Sequence, residues 1–176
     1  MLGSTIVNPF LAFYKLIAKI IDAFVAWNAI SEMKQSADLV VGVHIRRGDY
    51  ATWNNGRFFY ELEEYHQFMR RIQHVYRNKR VAFFISSNED FSLNIFKDCE
   101  CRRFGKEPSG AILDLYTLSA CDRIIGPVSS YSRWASFIGE VPLCFLESKE
   151  QQFTEDSFSK IVDFFHFENG KEIFDW

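Results

Sequence analysis

Two adjacent arginines and an acid, Arg46, Arg47 and Asp49, directly follow an apolar run in the first third of the chain. The run, residues 38–43, is typical of a buried strand, and ligands of open α/β sheets lie beyond the carboxyl ends of the strands. A guanidinium keeps its charge near neutral pH, and its fork of N–H donors matches phosphate oxygens. The pattern predicts a site for an anion such as a leaving pyrophosphate. A solvated arginine pair bridged to Asp49 is the alternative.

A second candidate phosphate site lies at the start of a predicted helix. The turn 127–131 contains Ser129 and Ser130 and connects a predicted strand with a predicted helix. The first N–H groups of a helix have no partner within it, and the helix dipole attracts anions. The chain has no Asp-x-Asp pair that could hold Mg²⁺ or Mn²⁺. Fixed cations and backbone amides are therefore expected to stabilise the leaving pyrophosphate, and neither a metal nor a cofactor is expected.

The elements that must position these residues alternate along the chain. Apolar runs predict strands over 38–43, 81–86, 101–104, 123–126 and 141–146, and helical spacing predicts helices over 60–78, 91–96, 111–121 and 132–139. The alternation predicts an α/β fold, Rossmann-like and doubly wound, with a mainly parallel sheet. Residues 105–110 are predicted to be a loop.

Both ends of the chain are predicted to add a helix to this domain. Asn8 and Pro9 favour a helix start, and apolar spacing continues to Trp27. The helix should pack on the sheet through Phe10, Phe13, Ile17, Ile20, Ile21 and Phe24, and a membrane-surface helix is the alternative. We thus divide one structural domain into an N-terminal helix (1–37), an α/β part (38–147) that contains the candidate anion sites, and a C-terminal helix around 157–167 with a tail (148–176).

Composition excludes several classes of protein. At 176 residues the chain has the length of a single domain that needs no metal or disulfide staple. A net charge of −3 argues against a nucleic-acid partner. Four cysteines are too sparse for a disulfide framework, so the expected location is the cytoplasm, including the inner face of the membrane. Lys15, Lys19 and Asp22 interrupt the N-terminal apolar run before it could span a bilayer.

Three segments resemble the motifs of one enzyme superfamily. The segment His44–Tyr50, with the pattern His-x-Arg-Arg-Gly-Asp-Tyr, resembles the first motif of the α1,2-, α1,6- and protein O-fucosyltransferases, and 51–60 is similar to a bacterial branch. Segments 83–90 and 114–137 are similar to the second and third motifs, in the same order. Together the motifs cover roughly residues 38–147. They are specific for the superfamily and not for a linkage.

The resemblance implies the C-terminal, donor-binding half of a GT-B fold and an inverting, metal-independent transfer from GDP-fucose to a glycan or polysaccharide. It implies that Arg46 contacts the β-phosphate, that Ser129 or Ser130 contacts the pyrophosphate, and that a residue of the second motif reads guanine. His44 and Arg47 complete the donor-binding set. The candidates for guanine are Ser87, Asn88 and Glu89.

Two positions depart from the superfamily pattern. Asn88 stands where the second motif usually has Asp, and Asn54 stands where related α1,6-enzymes have a catalytic Glu. Asp49 is therefore the candidate for a general base, with bracing of Arg46 as its alternative role. The rival function is a nucleotide-sugar-binding domain, or a truncated glycosyltransferase half, without turnover of its own. The sequence leaves the acceptor, the linkage and the oligomeric state open.

Overall fold

Five parallel strands form a single sheet at the centre of the molecule. The computed structural model of the protein describes residues 9–104, 110–163 and 166–173, and of residues 9–18 the backbone only. The strands are β1 (Leu39–Ile45), β2 (Val81–Ser87), β3 (Glu100–Arg102), β4 (Arg123–Pro127) and β5 (Leu143–Leu146). Their order in the sheet is β3-β2-β1-β4-β5. The predicted Rossmann-like fold is confirmed.

Helices cover both faces of this sheet. Helix α1 (Pro9–Ser36) packs on α3 (Gly110–Ala120), which in turn packs on α4 (Ser130–Gly139), while α2 (Leu62–Val75) belongs to a separate core. Neighbouring strand residues point to opposite layers: Val40 lies in the core with α1, and Val41 lies in the core with α2. Strands buried on both faces explain why the sequence shows continuous apolar runs instead of alternation. The predicted short helix at 91–96 is a 3-10 turn, Leu93–Phe96.

The N-terminal helix packs through a different face than predicted. Its described contacts with the body come from its C-terminal half, where Ala26, Ile30 and Met33 are buried. Ile20, Ile21 and Phe24, predicted to face the sheet, are 55–62% exposed. The predicted cap at Asn8 and the predicted contacts of the Phe10, Phe13 and Ile17 side chains lie outside the described residues. Among the described helices, none is long and apolar enough to cross a membrane.

The predicted helix around 157–167 is wrong. The described part of this segment contains a 3-10 turn, Glu155–Ser157, followed by isolated antiparallel bridges. Ser159 and Leu143 exchange two backbone hydrogen bonds, of 2.9 and 3.2 Å. β5 would otherwise be an unpaired edge strand, and an extended segment beside it satisfies its backbone groups where a helix could not. The predicted loop at 105–109 lies outside the described residues.

The strand order reverses between β1 and β4. In open α/β sheets, ligands bind outside the carboxyl ends of the strands at such a reversal. β1 and its helical connection run to one side of this point, and β4 and α4 run to the other. The two strands approach closely there, since a Cβ added at Gly126 would lie 2.9 Å from the Cβ of His44. The fold therefore brings the first and third sequence motifs together at one edge of the sheet.

Candidate functional site

Two cavities meet at Arg46, beyond the carboxyl ends of β1 and β4. The β2-side cavity has a volume of about 300 Å³, and the β4-side cavity has a volume of about 330 Å³. Arg46 and Tyr131 line both of them. The β2-side cavity is also lined by His44, Ser86, Ser87, Asn88, Arg103, Phe104, Gly110, Ala111 and Asp114. The β4-side cavity is also lined by Asp49, Tyr50, Trp53, Val128, Ser129 and Ser130.

Arg46 is the cation shared by the two cavities. Its Nη2 donates to Asp49 Oδ2 at 2.9 Å, and its guanidinium lies over the ring of Tyr50 at 5.7 Å. The backbone N–H of Arg46 donates to the Tyr65 hydroxyl at 3.3 Å. The side chain is 37% exposed, so it remains accessible to an anion. A ring on one side and a single acid on the other orient the guanidinium without enclosing it.

Arg47 has a different environment, although it is the next residue. Its Nη2 lies 2.7 Å from Glu61 Oε2 and its Nη1 lies 3.5 Å from Glu89 Oε2, and the guanidinium covers the ring of Phe59. The backbone N–H of Arg47 donates to Asn88 Oδ1 at 3.1 Å. Arg47 lines neither of the two cavities. The structure therefore separates the predicted arginine pair into one cavity-lining residue and one that connects α2 to the segment after β2.

His44 is neutral in the folded protein. Burial, and to a smaller extent the charge of Arg46, lowers its pKa from 6.5 to about 3. Nδ1 lies 2.7 Å from the Ser132 hydroxyl, and the ring lies 4.9 Å from the ring of Tyr131. A neutral imidazole cannot neutralise a phosphate charge. His44 instead connects the end of β1 to the first turn of α4.

The first turn of α4 begins at the β4-side cavity. Ser129 is the N-cap, and its hydroxyl accepts a hydrogen bond from the N–H of Tyr131 at 3.1 Å. Ser129 and Ser130 line the cavity, as the predicted phosphate site requires. Across the cavity, the Tyr50 hydroxyl donates to Val128 O at 2.8 Å and fixes the turn to the segment after β1. The N-terminal end of α4 thus faces the space next to Arg46.

The three predicted guanine-binding residues are only partly in position. Ser87 and Asn88 line the β2-side cavity, whereas Glu89 points to Arg47. The Asn88 amide oxygen accepts the hydrogen bond from the Arg47 N–H, and the Ser87 hydroxyl accepts one from the Glu89 N–H at 3.1 Å. These contacts hold the segment after β2 in shape.

Asp114 is a cavity residue that sequence reasoning missed. It lies in the first half of α3, and burial raises its pKa from 3.8 to about 6. Hydrogen bonds from the Ser86 side chain and the Ser87 backbone, together with the charge of Arg103, lower the pKa and only partly offset that effect. An acid held at such a position is a candidate for ligand recognition. The sequence feature that could have indicated Asp114 is its position as the first residue of the third motif.

A known protein family matches most of the chain. The model of glycosyl transferase family 11 matches residues 16–160. The chain belongs to glycosyl transferase family 11. The predicted membership in the fucosyltransferase superfamily is thereby confirmed. No curated protein matches the chain.

Solved structures of two proteins are similar to this family 11 chain over part of their length. POFUT1 in complex with GDP is 15% identical and has a TM-score of 0.53, with 73% of this chain and 46% of that chain covered. Fucosyltransferase NodZ from Bradyrhizobium is 20% identical and has a TM-score of 0.45, with 71% of this chain and 44% of that chain covered. The chain thus spans less than half the length of these solved relatives.

Within the described ranges, the family 11 chain has no group of three His, Cys, Asp or Glu side chains that could hold a metal ion. The charged side chains that line the two cavities are Arg46, Arg103, Asp49 and Asp114. Both basic side chains donate hydrogen bonds within the protein. Arg46 donates to the carboxylate of Asp49, and Arg103 donates to the backbone carbonyls of Glu89 and Phe91. The arrangement can bind an anion at the centre and a group with hydrogen-bond donors at Asp114.

Proposed function

We propose that this chain is the donor-binding half of a fucosyltransferase and that GDP-fucose lies across the two cavities. The observation that carries the proposal is the position of Arg46, which lies between a cavity with a half-buried acid and a cavity at a helix N-terminus. A nucleotide sugar has the same order of parts: a base, a diphosphate and a sugar.

Guanine fits the β2-side cavity by its hydrogen-bonding pattern. Its N1–H and N2–H groups are adjacent donors, and a carboxylate accepts two hydrogen bonds side by side. Asp114 supplies the carboxylate, and Phe104 supplies an aromatic ring in the same cavity. Uracil and adenine do not present two adjacent donors of this kind. The guanine-reading role, expected of the second motif, therefore moves to Asp114 in our proposal.

The diphosphate would bind at the junction of the cavities. Arg46 supplies a fixed positive charge, and the first turn of α4 supplies N–H groups and the positive end of a helix dipole. Ser129 and Ser130 line the same space. Cations and amides of this kind stabilise a leaving pyrophosphate without a divalent metal. Arg47 would act indirectly, by positioning Asn88 and Glu89.

The position of Asp49 favours a role in orienting the Arg46 guanidinium over a role as general base. In an inverting transfer, the acceptor hydroxyl attacks the anomeric carbon from the side opposite the leaving phosphate. Asp49 Oδ2 lies 2.9 Å from Nη2 of Arg46, so it would lie on the side of the phosphate that Arg46 is proposed to bind. We therefore assign it to orienting Arg46, and the general base would come from the acceptor side. The acceptor itself would be a glycan or polysaccharide.

A binding domain without turnover is the second candidate. Asn54 is exposed and adopts a left-handed backbone conformation, with φ 48°. An amide at that position cannot remove a proton from an acceptor. Both candidates share the same donor site, and they differ in whether a second half completes the reaction.

Thermal unfolding with a panel of nucleotides tests the shared donor site. Because a ligand that binds the folded state stabilises it, GDP in excess of its Kd should raise Tm, and UDP and ADP should raise it less. The GDP effect should persist in the presence of EDTA. Equal shifts with all three nucleotides, or a shift that EDTA abolishes, would contradict the proposal.

A further inference from the structure

The β4-side cavity contains an aromatic wall that phosphate binding does not require. The wall consists of Tyr50 and Trp53, whose ring centroids lie 4.7 Å apart at an interplanar angle of 34°. Tyr50 is 8% exposed, and its hydroxyl donates to Val128 O, so the hydroxyl is engaged in holding the turn. Trp53 is half-buried. It presents a large apolar surface beside two charged groups, Arg46 and Asp49.

The protein holds Trp53 firmly at this place. Its ring packs on Tyr50 and, at 5.8 Å between centroids, on the buried Phe58. The next three residues, Asn54, Asn55 and Gly56, have φ values of 48°, 55° and 73°. A run of left-handed residues is unfavourable for non-glycine side chains. The chain adopts it where it turns sharply and leaves the indole in the cavity wall.

The position of the wall defines what it contacts, if the proposed function holds. The group that follows the diphosphate in a nucleotide sugar is the sugar itself. The β2-side cavity contains Asp114, the acid proposed to bind guanine. The sugar would therefore lie in the other cavity at Arg46, the β4-side cavity. A pyranose has an apolar face of C–H groups, which packs well on an aromatic ring. We propose that Trp53, supported by Tyr50, is the platform for the hexose of the donor.

The chemical class of the ligand follows from the wall and its neighbours. An aromatic surface next to a guanidinium and a carboxylate suits a molecule with one apolar face and several hydroxyls. In this arrangement a nucleoside diphosphate without a sugar would contact Arg46 and the first turn of α4, and it would leave the Trp53 side of the wall uncovered. The platform should therefore discriminate a nucleotide sugar from the free nucleotide, and it should not affect the affinity for GDP.

Calorimetric titration of GDP and GDP-fucose into the Trp53→Ala variant tests this inference. If a sugar face on an aromatic ring contributes about as much as an aromatic pair does, its loss changes Kd by about two- to twelvefold. We expect the Kd for GDP-fucose to rise by that factor and the Kd for GDP to stay the same. Trp53→Phe, which keeps a ring, should restore most of the affinity. Trp134→Ala, which removes a 53% exposed tryptophan on α4, is the matched control.

The possible results separate this inference from the proposed function on which it rests. If Trp53→Ala weakens GDP and GDP-fucose equally, the residue is structural and the inference is overturned. If neither ligand is affected, the sugar lies elsewhere and the inference is again overturned, while the donor site stands. If the unmodified protein binds neither GDP nor GDP-fucose, the proposed function and the inference fail together.

Discussion

The charge of Asp114 costs folding stability at neutral pH. Its pKa is raised from 3.8 to about 6, chiefly by burial, so the folded protein holds its proton more tightly than the unfolded chain does. Such a group lowers stability as pH rises through this range, and the loss is complete above the folded-state pKa. A pKa difference of one unit equals about 1.4 kcal/mol. An acid whose ionised form costs stability is expected at a ligand site.

We predict that GDP-fucose binds less tightly as pH falls from 7 to 5. Asp114 must be ionised to accept both guanine N–H groups, and it gains its proton near pH 6. The sugar nucleotide is the right probe because its diphosphate lacks the terminal group that titrates near pH 6 in GDP. Asp114→Asn should bind about ten- to a hundredfold more weakly at pH 7, because charged hydrogen bonds contribute about 1.5–3 kcal/mol.

Stability provides an independent readout for the same variant. Asp114→Asn removes the half-buried charge and should stabilise the fold at pH 7.5 by about 1–2 kcal/mol, a gain that disappears near pH 4. Asp90→Asn, at an exposed acid in the segment after β2, is the control and should change little. A pH-independent affinity in the unmodified protein would remove Asp114 from the site.

At the scale of elements, the cavity depends on how the segment after β1 is fixed to the turn after β4. The Tyr50 hydroxyl makes this connection through Val128 O. Tyr60 makes an equivalent bond elsewhere, since its hydroxyl donates to Leu146 O at 2.9 Å at the end of β5. Both side chains are buried, and both join the segment after β1 to the end of a later strand. Only the bond of Tyr50 lies at a cavity wall.

The two tyrosines therefore form a matched pair. Tyr50→Phe and Tyr60→Phe should each lower the free energy of unfolding by about 1–2 kcal/mol, because each leaves a buried carbonyl without its donor. Tyr50→Phe should in addition weaken GDP-fucose binding severalfold, and Tyr60→Phe should leave it unchanged. Chemical denaturation and calorimetry measure the two effects. Equal binding losses in both variants would indicate a general loss of structure.

The elements that could be predicted from the sequence are those with a local signal. The apolar run before Arg46 indicates β1, and the spacing of apolar residues indicates α2, since both patterns reflect burial within the element itself. The C-terminal segment shows the opposite case. Its pairing with Leu143 depends on β5 having a free edge, which no local pattern reveals. The same holds for Ile20 and Phe24, whose exposure depends on where α1 meets α3.

At the scale of the whole molecule, the site arises from the strand order. Arg46, Ser129 and Asp114 are distant in sequence. They line two adjoining cavities, with Arg46 in both, because β1 and β4 are neighbours and α3 leads into β4. Arg46 and Ser129 could be predicted from the sequence, because a strand end and a helix start each have a local sequence pattern. Asp114 could not be predicted in this way, because its partial burial depends on α3 packing beside the carboxyl end of β2. The different roles of Arg46 and Arg47 could not be predicted either, since adjacent residues have the same local sequence pattern.

The distinction between the two arginines tests the central claim most directly. The measurement is calorimetric titration of GDP, in the presence of EDTA, into the unmodified protein, Arg46→Lys and Arg47→Lys. Lysine keeps the charge and loses the planar fork. We predict that Arg46→Lys lowers GDP affinity by about tenfold or more with little change in Tm, because the lost contacts are to the phosphate. Arg47→Lys should instead lower Tm and leave GDP affinity within about threefold, because the guanidinium contacts Glu61 and Glu89 and lines neither cavity. Unchanged affinity in Arg46→Lys, or a larger loss in Arg47→Lys, would contradict the account.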